Sequence, residues 1–125
     1  MNIPEGILCT RSHEWILEEN NSSKIGLTDW QVERLGDIVV VELPEVGNSF
    51  SKGEVFATIE SVREASEIYM PVSGVIVEVN ERLINSPELI NEDSYEAWLV
   101  KVKADDFSSD SDDLLDYDDY IDEVS

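Results

Sequence analysis

The chain has 125 residues, 42% of them apolar and including three Trp, four Tyr and three Phe, which suits one domain with a real core and excludes a wholly disordered chain. Its apolar runs fall far below the ~18 residues of a membrane span, its opening residues lack the pattern of a secretory or Arg-rich transit peptide, and its single cysteine, Cys9, excludes an internal disulfide or structural zinc set and points to a reducing, cytoplasmic compartment (a processed mitochondrial form remains open). Twenty-nine acids against eight bases leave a net charge of −21, which excludes nucleic acid and anionic membranes as partners.

The charge divides the chain. Residues 104–125 hold ten acids and no base, so residues 1–103 form an acidic body and 104–125 an acidic C-terminal segment. Two readings of the excess stand side by side: a solvated surface, or long-range steering of a basic partner.

In chain order, residues 13–27 read as a hairpin with a polar turn at Glu19-Asn20-Asn21-Ser22. A short helix follows, with Thr28 as N-cap, Gln31 completing a capping box and Gly36 closing the C-terminus. Residues 38–43 are a β-branched run that reads as a largely buried strand. Turns at Pro44-Glu45-Val46-Gly47 and Ser51-Lys52-Gly53 lead to a strand at 55–60, which the polar stretch 61–67 breaks. Ile68-Tyr69-Met70, the Pro71-Val72-Ser73-Gly74 turn and a strand at 75–79 come next. Ser86 with Pro87 behind it reads as the start of a second small helix, and residues 98–102 as a last strand. Leu114, Tyr117, Ile121 and Val124 then fall at helical spacing, so the acidic segment is expected to end in an amphipathic helix. Asp122 and Glu123 in its last turn oppose the macrodipole and favour fraying.

Many short strands with Gly and Pro turns describe an all-β sandwich or barrel with small helices added. The strand–turn pattern occurs on both sides of residues 61–67, as two similar halves meeting at one exposed hairpin. A hairpin tip displays a side chain on a rigid two-stranded support, the natural place for a functional arm.

Catalytic motifs are scarce. Neither GxGxxG nor GxxxxGK[ST] occurs. His13, the single histidine, has Glu14 beside it but no second histidine for zinc, and reads as a strand histidine packed beside Trp15. Cys9 reads as a small buried or edge residue. No carboxylate pair stands out among so many, and the chain reads as a non-enzyme with neither catalytic nor metal-binding residues.

Residues 10–15 (TRSHEW), 25–44 (IGLTDWQVERLGDIVVVELP), Gly47, Glu60-Ser61-Val62, 71–74 (PVSG), 77–80 (VEVN), 87–93 (PELINED) and Trp98-Leu99 resemble, in order, the glycine cleavage system H protein family. The resemblance implies a lipoyl-type barrel-sandwich hybrid with terminal helical additions. It also implies a role: such proteins carry a lipoyl group on a hairpin lysine and shuttle an aminomethyl group among glycine decarboxylase, aminomethyltransferase and dihydrolipoamide dehydrogenase, after loading by an enzyme such as lipoate ligase.

In the family the modified lysine follows Glu-Ser-Val. Here Arg63 follows Glu60, Ser61 and Val62. Lipoylation is acyl transfer to a nucleophilic amine, and a guanidinium keeps its proton and delocalises its lone pair. Arg63 is therefore expected at an exposed tip, unmodified and without the cofactor. The four lysines, Lys24, Lys52, Lys101 and Lys103, lie in other segments. A smaller departure is the glycine-free connection Tyr95-Glu96-Ala97-Trp98, shorter than the family's loop. Three readings follow: an H-like protein without its lipoyl group, an authentic carrier bearing a Lys-to-Arg substitution, and a non-catalytic interaction or regulatory module on the same scaffold.

Overall fold

The computed structural model describes residues 2–125. In chain order the elements are β1 (Leu8–Cys9), β2 (Glu14–Glu19), β3 (Ser22–Leu27), α1 (Asp29–Leu35), β4 (Ile38–Glu42), β5 (Ser49–Phe50), β6 (Val55–Ser61), β7 (Ala65–Tyr69), β8 (Gly74–Val79), α2 (Arg82–Asn85), α3 (Leu89–Glu92), β9 (Val100–Ala104), α4 (Phe107–Asp110), β10 (Leu115–Asp116) and α5 (Tyr117–Val124). Seven strands form one antiparallel sheet in the order β10-β1-β2-β3-β9-β8-β5, and three form a second in the order β4-β6-β7. The all-β class with short helices and a C-terminal helix is as the sequence indicates.

Alternation along the strands sends Ile16, Ile25, Ile76 and Val102 of the larger sheet into one core with Val41, Ile59 and Ile68 of the smaller. A second cluster gathers Ile7, Cys9, Trp15, Tyr95 and Tyr120. Trp15 pairs with Gly26 across β2–β3, and a Cβ on Gly26 would lie 2.7 Å from the indole, so only glycine fits there. The β2–β3 turn uses Asn20 at φ 56°, a left-handed conformation that asparagine tolerates. Around residues 62–64 the pairing is nested: β6 with β7 in the small sheet, β5 with β8 in the large one.

Several local expectations need correction. Only half of the capping box forms. Thr28 Oγ1 accepts from the Gln31 N–H at 3.3 Å, but the Thr28 N–H donates to the His13 carbonyl at 3.1 Å and Gln31 Oε1 is left unpartnered. β4 is not largely buried: Val40 and Glu42 alternate outward beside buried Val41, and a bulge between Ile38 and Val40 leaves Val39 outside too. Ser86 is not an N-cap: it closes α2, and α3 begins three residues on behind a Pro87–Glu88 turn with no side-chain cap. The last body strand starts at Val100, since Asn80 Nδ2 holds the Trp98 carbonyl at 2.9 Å. His13 lies outside β2 at φ 78°, its ring stacked on Trp30 at 4.4 Å rather than beside Trp15. The glycine-free connection before Trp98 folds around Asp93, whose Oδ1 accepts from the Tyr95 and Glu96 N–H groups.

The acidic segment is built into the sheet. β10 pairs with β1, and Asp116 caps α5 by accepting the Asp119 N–H at 2.8 Å. That start turns Tyr120 fully inward, with Tyr117, Ile121 and Val124 of the expected stripe packed on the same face. The Tyr120 hydroxyl meets Thr28 Oγ1 at 2.7 Å and His13 Nδ1 at 2.8 Å, while Leu114 precedes the helix and Tyr117, Ile121 and Val124 are half-buried. Two ion pairs tie the segment's acids to the body: Arg11 with Glu123 at 2.7 Å and Lys52 with Asp113 at 2.5 Å.

Candidate functional site

The three-residue connection between β6 and β7, residues 62–64, is closed by Ser61. Its N–H donates to the Glu64 carbonyl at 2.8 Å, and its Oγ accepts the N–H groups of Arg63 and Glu64 at 3.1 Å each. A serine hydroxyl bonding backbone two and three residues on is a local turn device, which is why the polar stretch breaks the strand here. The Val62 N–H donates to the Asp37 carbonyl at 3.0 Å, fixing the tip against the α1–β4 junction. The four residues singled out in the sequence thus sit together: Glu60 exposed at the end of β6, Ser61 inside the turn, Val62 66% exposed at the tip, and Arg63 beside it.

Arg63 is exposed, as expected, but its guanidinium is engaged. Nη1 donates to the carbonyls of Arg34 at 2.7 Å and Glu33 at 3.3 Å, in the last turn of α1. Those carbonyls carry the negative end of the helix and lack helical partners, so a cation is favoured there. Gly36 makes room. It ends α1 at φ 77° and its N–H closes on the Val32 carbonyl, while a Cβ would meet Arg63 Nε at 3.2 Å. The sequence marked Gly36 as a helix end but carried no sign that residue 63 would lie upon it, because that contact joins positions about thirty apart.

The lysines are elsewhere. Lys24 pairs with Glu19 at 3.0 Å, Lys52 with the acidic segment, and Lys101 with Glu78 at 3.3 Å beneath the Trp98 ring. Lys103 faces Val75 across β8–β9.

One buried ionisable group was overlooked as a structural element. Glu14 is fully buried. Its Oε1 accepts the Thr10 and Ser12 hydroxyls at 2.6 Å each, and its Oε2 accepts the Tyr69 N–H at 3.2 Å. Glu14 therefore ties β2 of the large sheet to the β7 edge of the small one, behind the hairpin. Burial pushes its carboxyl up to about 6, against the opposing pull of those hydrogen bonds. Cys9, also fully buried, has its thiol pushed up to about 12 by desolvation, then by Asp29 and Asp116, which suits packing and not nucleophilic attack. Burial, with Arg34 nearby, lowers the His13 pKa. Among the described residues no cluster of His, Cys, Asp and Glu could hold a metal ion, and no helix is long and apolar enough to cross a membrane.

The glycine cleavage H-protein family model matches residues 7–125. Among curated relatives, the chain is 44% identical to the glycine cleavage system H protein of Halothermothrix orenii, covering 99% of both chains. It is 49% identical to that of Thermus thermophilus, covering 96% of this chain and 94% of the other. The fold superposes on the crystal structure of a glycine cleavage system H protein from Mycobacterium marinum with a TM-score of 0.86, at 36% identity and 98% coverage of each, so the barrel-sandwich hybrid expected from the sequence is the fold observed. The match in sequence and in structure runs over nearly the whole length, and the chain belongs to the glycine cleavage H-protein family.

Proposed function

We propose that this chain is an H-family scaffold that is not lipoylated at residue 63, catalyses nothing itself, and retains the family's capacity to bind glycine cleavage components or a lipoate-handling enzyme. The carrying observation is Arg63: the residue after Glu60-Ser61-Val62 is a guanidinium donating to the α1 carbonyls of Arg34 and Glu33. A lipoyl amide forms when an unprotonated amine attacks an activated acyl carbon. The guanidinium stays protonated and its nitrogen lone pairs are delocalised, so the residue present does not fit the group. The other lysines offer no substitute on the hairpin, and three of them are held in ion pairs. A cytoplasmic home belongs to the same reading, since Cys9 is free and buried as in a reducing compartment.

A reconstituted glycine cleavage assay tests this. The chain, pretreated with lipoate ligase and lipoate, is expected to support no turnover as sole H component. Added in excess to a lipoylated H protein, it is expected to slow turnover by competing for the enzymes. Turnover with this chain alone would overturn the loss of carrier function. Undiminished turnover in the competition would overturn retained binding.

A further inference from the structure

The second core is closed by a chain of hydrogen bonds that has a direction. The Gln31 N–H donates to Thr28 Oγ1 at 3.3 Å, Thr28 Oγ1 meets the Tyr120 hydroxyl at 2.7 Å, and that hydroxyl meets His13 Nδ1 at 2.8 Å. Each hydroxyl has one proton to give. Running from Thr28 to His13, the chain uses both: Thr28 donates to Tyr120, Tyr120 donates to His13, and Nδ1 accepts. Running the other way, His13 donates to Tyr120 and Tyr120 to Thr28, and the proton of fully buried Thr28 then has no acceptor among the described residues. A buried hydroxyl without an acceptor is the costlier state, so the chain holds His13 as a neutral imidazole with its proton on Nε2.

The charged and titratable groups around the ring agree with this. From α1, Arg34 lies over the Trp30 ring at 4.7 Å and His13 stacks on the same ring at 4.4 Å, so an imidazolium there meets a like charge. Asp29, also of α1, has its carboxylate occupied by the Tyr95 and Tyr117 hydroxyls. From α5, burial pushes the Tyr120 phenol up to about 12, so it stays a donor, and Glu123 pairs with Arg11. Glu14, next in the chain, gives its carboxylate to Thr10, Ser12 and Tyr69, and the Cys9 thiol keeps its proton. No carboxylate pairs with His13 among the described residues.

We infer that His13 is an acid-sensitive latch on the C-terminal helix: a proton taken up at Nδ1 reverses the hydrogen-bond chain, orphans the Thr28 hydroxyl and frees α5 from the second core. The Tyr120 proton then turns from Nδ1 to Thr28 Oγ1, and the proton of Thr28 is left without a partner. β10 stays paired with β1, so the release is confined to α5. The ties that remain are the Tyr117–Asp29 bonds and the exposed Arg11–Glu123 pair, which solvent screens. Burial, then Arg34, lowers the His13 pKa from its ordinary 6.5, so the latch is fully closed above that value and opens as pH falls through the lower, folded one. Glu14 acts with the opposite sign, because its raised carboxyl favours the folded chain in acid.

A single histidine makes the test direct. Imidazole nitrogen NMR of the full chain at about pH 7.5 is expected to show the Nε2–H tautomer. Between there and about pH 5, exchange protection of the amides of residues 121–124, corrected for intrinsic rate, is expected to fall by at least about tenfold with the midpoint of the His13 titration. His13→Asn puts Oδ1 where Nδ1 stands, tolerates the φ of 78° and takes up no proton, so its α5 is expected to stay protected across the same range. Tyr120→Phe cuts the chain and is expected to raise the His13 midpoint. An Nδ1–H tautomer at neutral pH, a His13 titration that leaves α5 protection unchanged, an equal loss of protection in His13→Asn, or an unmoved midpoint in Tyr120→Phe overturns the latch. The tautomer and the shared midpoint are read on the parent chain and decide the matter even where a variant fails to fold.

Discussion

Replacing Arg63 separates a helix-capping arginine from a merely exposed one. An exposed side chain with no specific contact changes stability by less than about 0.5 kcal/mol when truncated. Arg63 instead donates to two carbonyls of the last α1 turn at 2.7 and 3.3 Å. A hydrogen bond to a charged group contributes about 1.5–3 kcal/mol, and a cation at a helix C-terminus about 0.3–1 kcal/mol when exposed. The longer of the two contacts shares one donor, and solvent screens both, so Arg63→Ala is expected to cost about 1–2 kcal/mol. In urea that lowers the unfolding midpoint by about 0.5–1 M. Arg63→Lys keeps a cation near the helix end but loses the fork, and is expected to fall between parent and alanine. Hydrogen exchange at the Gly36 and Val62 amides, which bond to the Val32 and Asp37 carbonyls, should quicken in Arg63→Ala. A midpoint within about 0.2 M of the parent, with both amides unchanged, would refute the cap and return Arg63 to a free, solvated side chain.

Two further perturbations follow from buried groups. The Glu14 carboxyl rises from an ordinary 4.5 to about 6 in the folded state. The folded chain thus binds a proton more tightly than the unfolded one, so Glu14 lowers stability as pH rises through that window, by about 2 kcal/mol in all. Chemical denaturation from pH 4 to 7 should show Glu14→Gln gaining on the parent across this interval, and a constant difference would contradict the assignment. Tyr120 is fully buried beside Cys9 and Trp15 and bonds Thr28 and His13, so Tyr120→Ala should cost about 3–5 kcal/mol and Tyr120→Phe about 1–2 kcal/mol. Thermal unfolding checks both, and near-parental melting of Tyr120→Ala would mean that the acidic segment is not part of the second core.

Local chemistry explains which elements the sequence revealed. The β2–β3 hairpin, the Thr28 and Gly36 ends of α1 and β6 were legible because turn residues and alternation act over a few positions, whereas β7 begins at Ala65 inside the polar stretch 61–67 and not at Ile68, because Ala65, Ser66 and Glu67 pair with Glu60, Ile59 and Thr58. β1, β5 and β10 were not legible, since two-residue strands are defined by partners and not by pattern. Val39 and Val40 look like core residues by composition, but Val40 alternates outward beside buried Val41, and the bulge in the β4–β6 register leaves Val39 outside as well. Tyr117, Ile121 and Val124 of the expected stripe lie on the inward face of α5, and Tyr120, one helical neighbour along that same face, completes it, while Leu114 precedes the Asp116 cap. At the candidate site, Arg63 was legible through the residues preceding it. Its engagement with α1 depends on tertiary closure that no local motif records.

Intact-mass measurement after incubation with lipoate ligase, lipoate and ATP tests the central claim most directly. The parent chain is expected to keep its mass. Arg63→Lys, which restores an amine on the same Ser61-closed hairpin, is expected to gain one lipoyl increment and to show that the enzyme is active on this scaffold. A lipoyl increment on the parent chain, mapped by peptide fragmentation to any residue, would contradict the account.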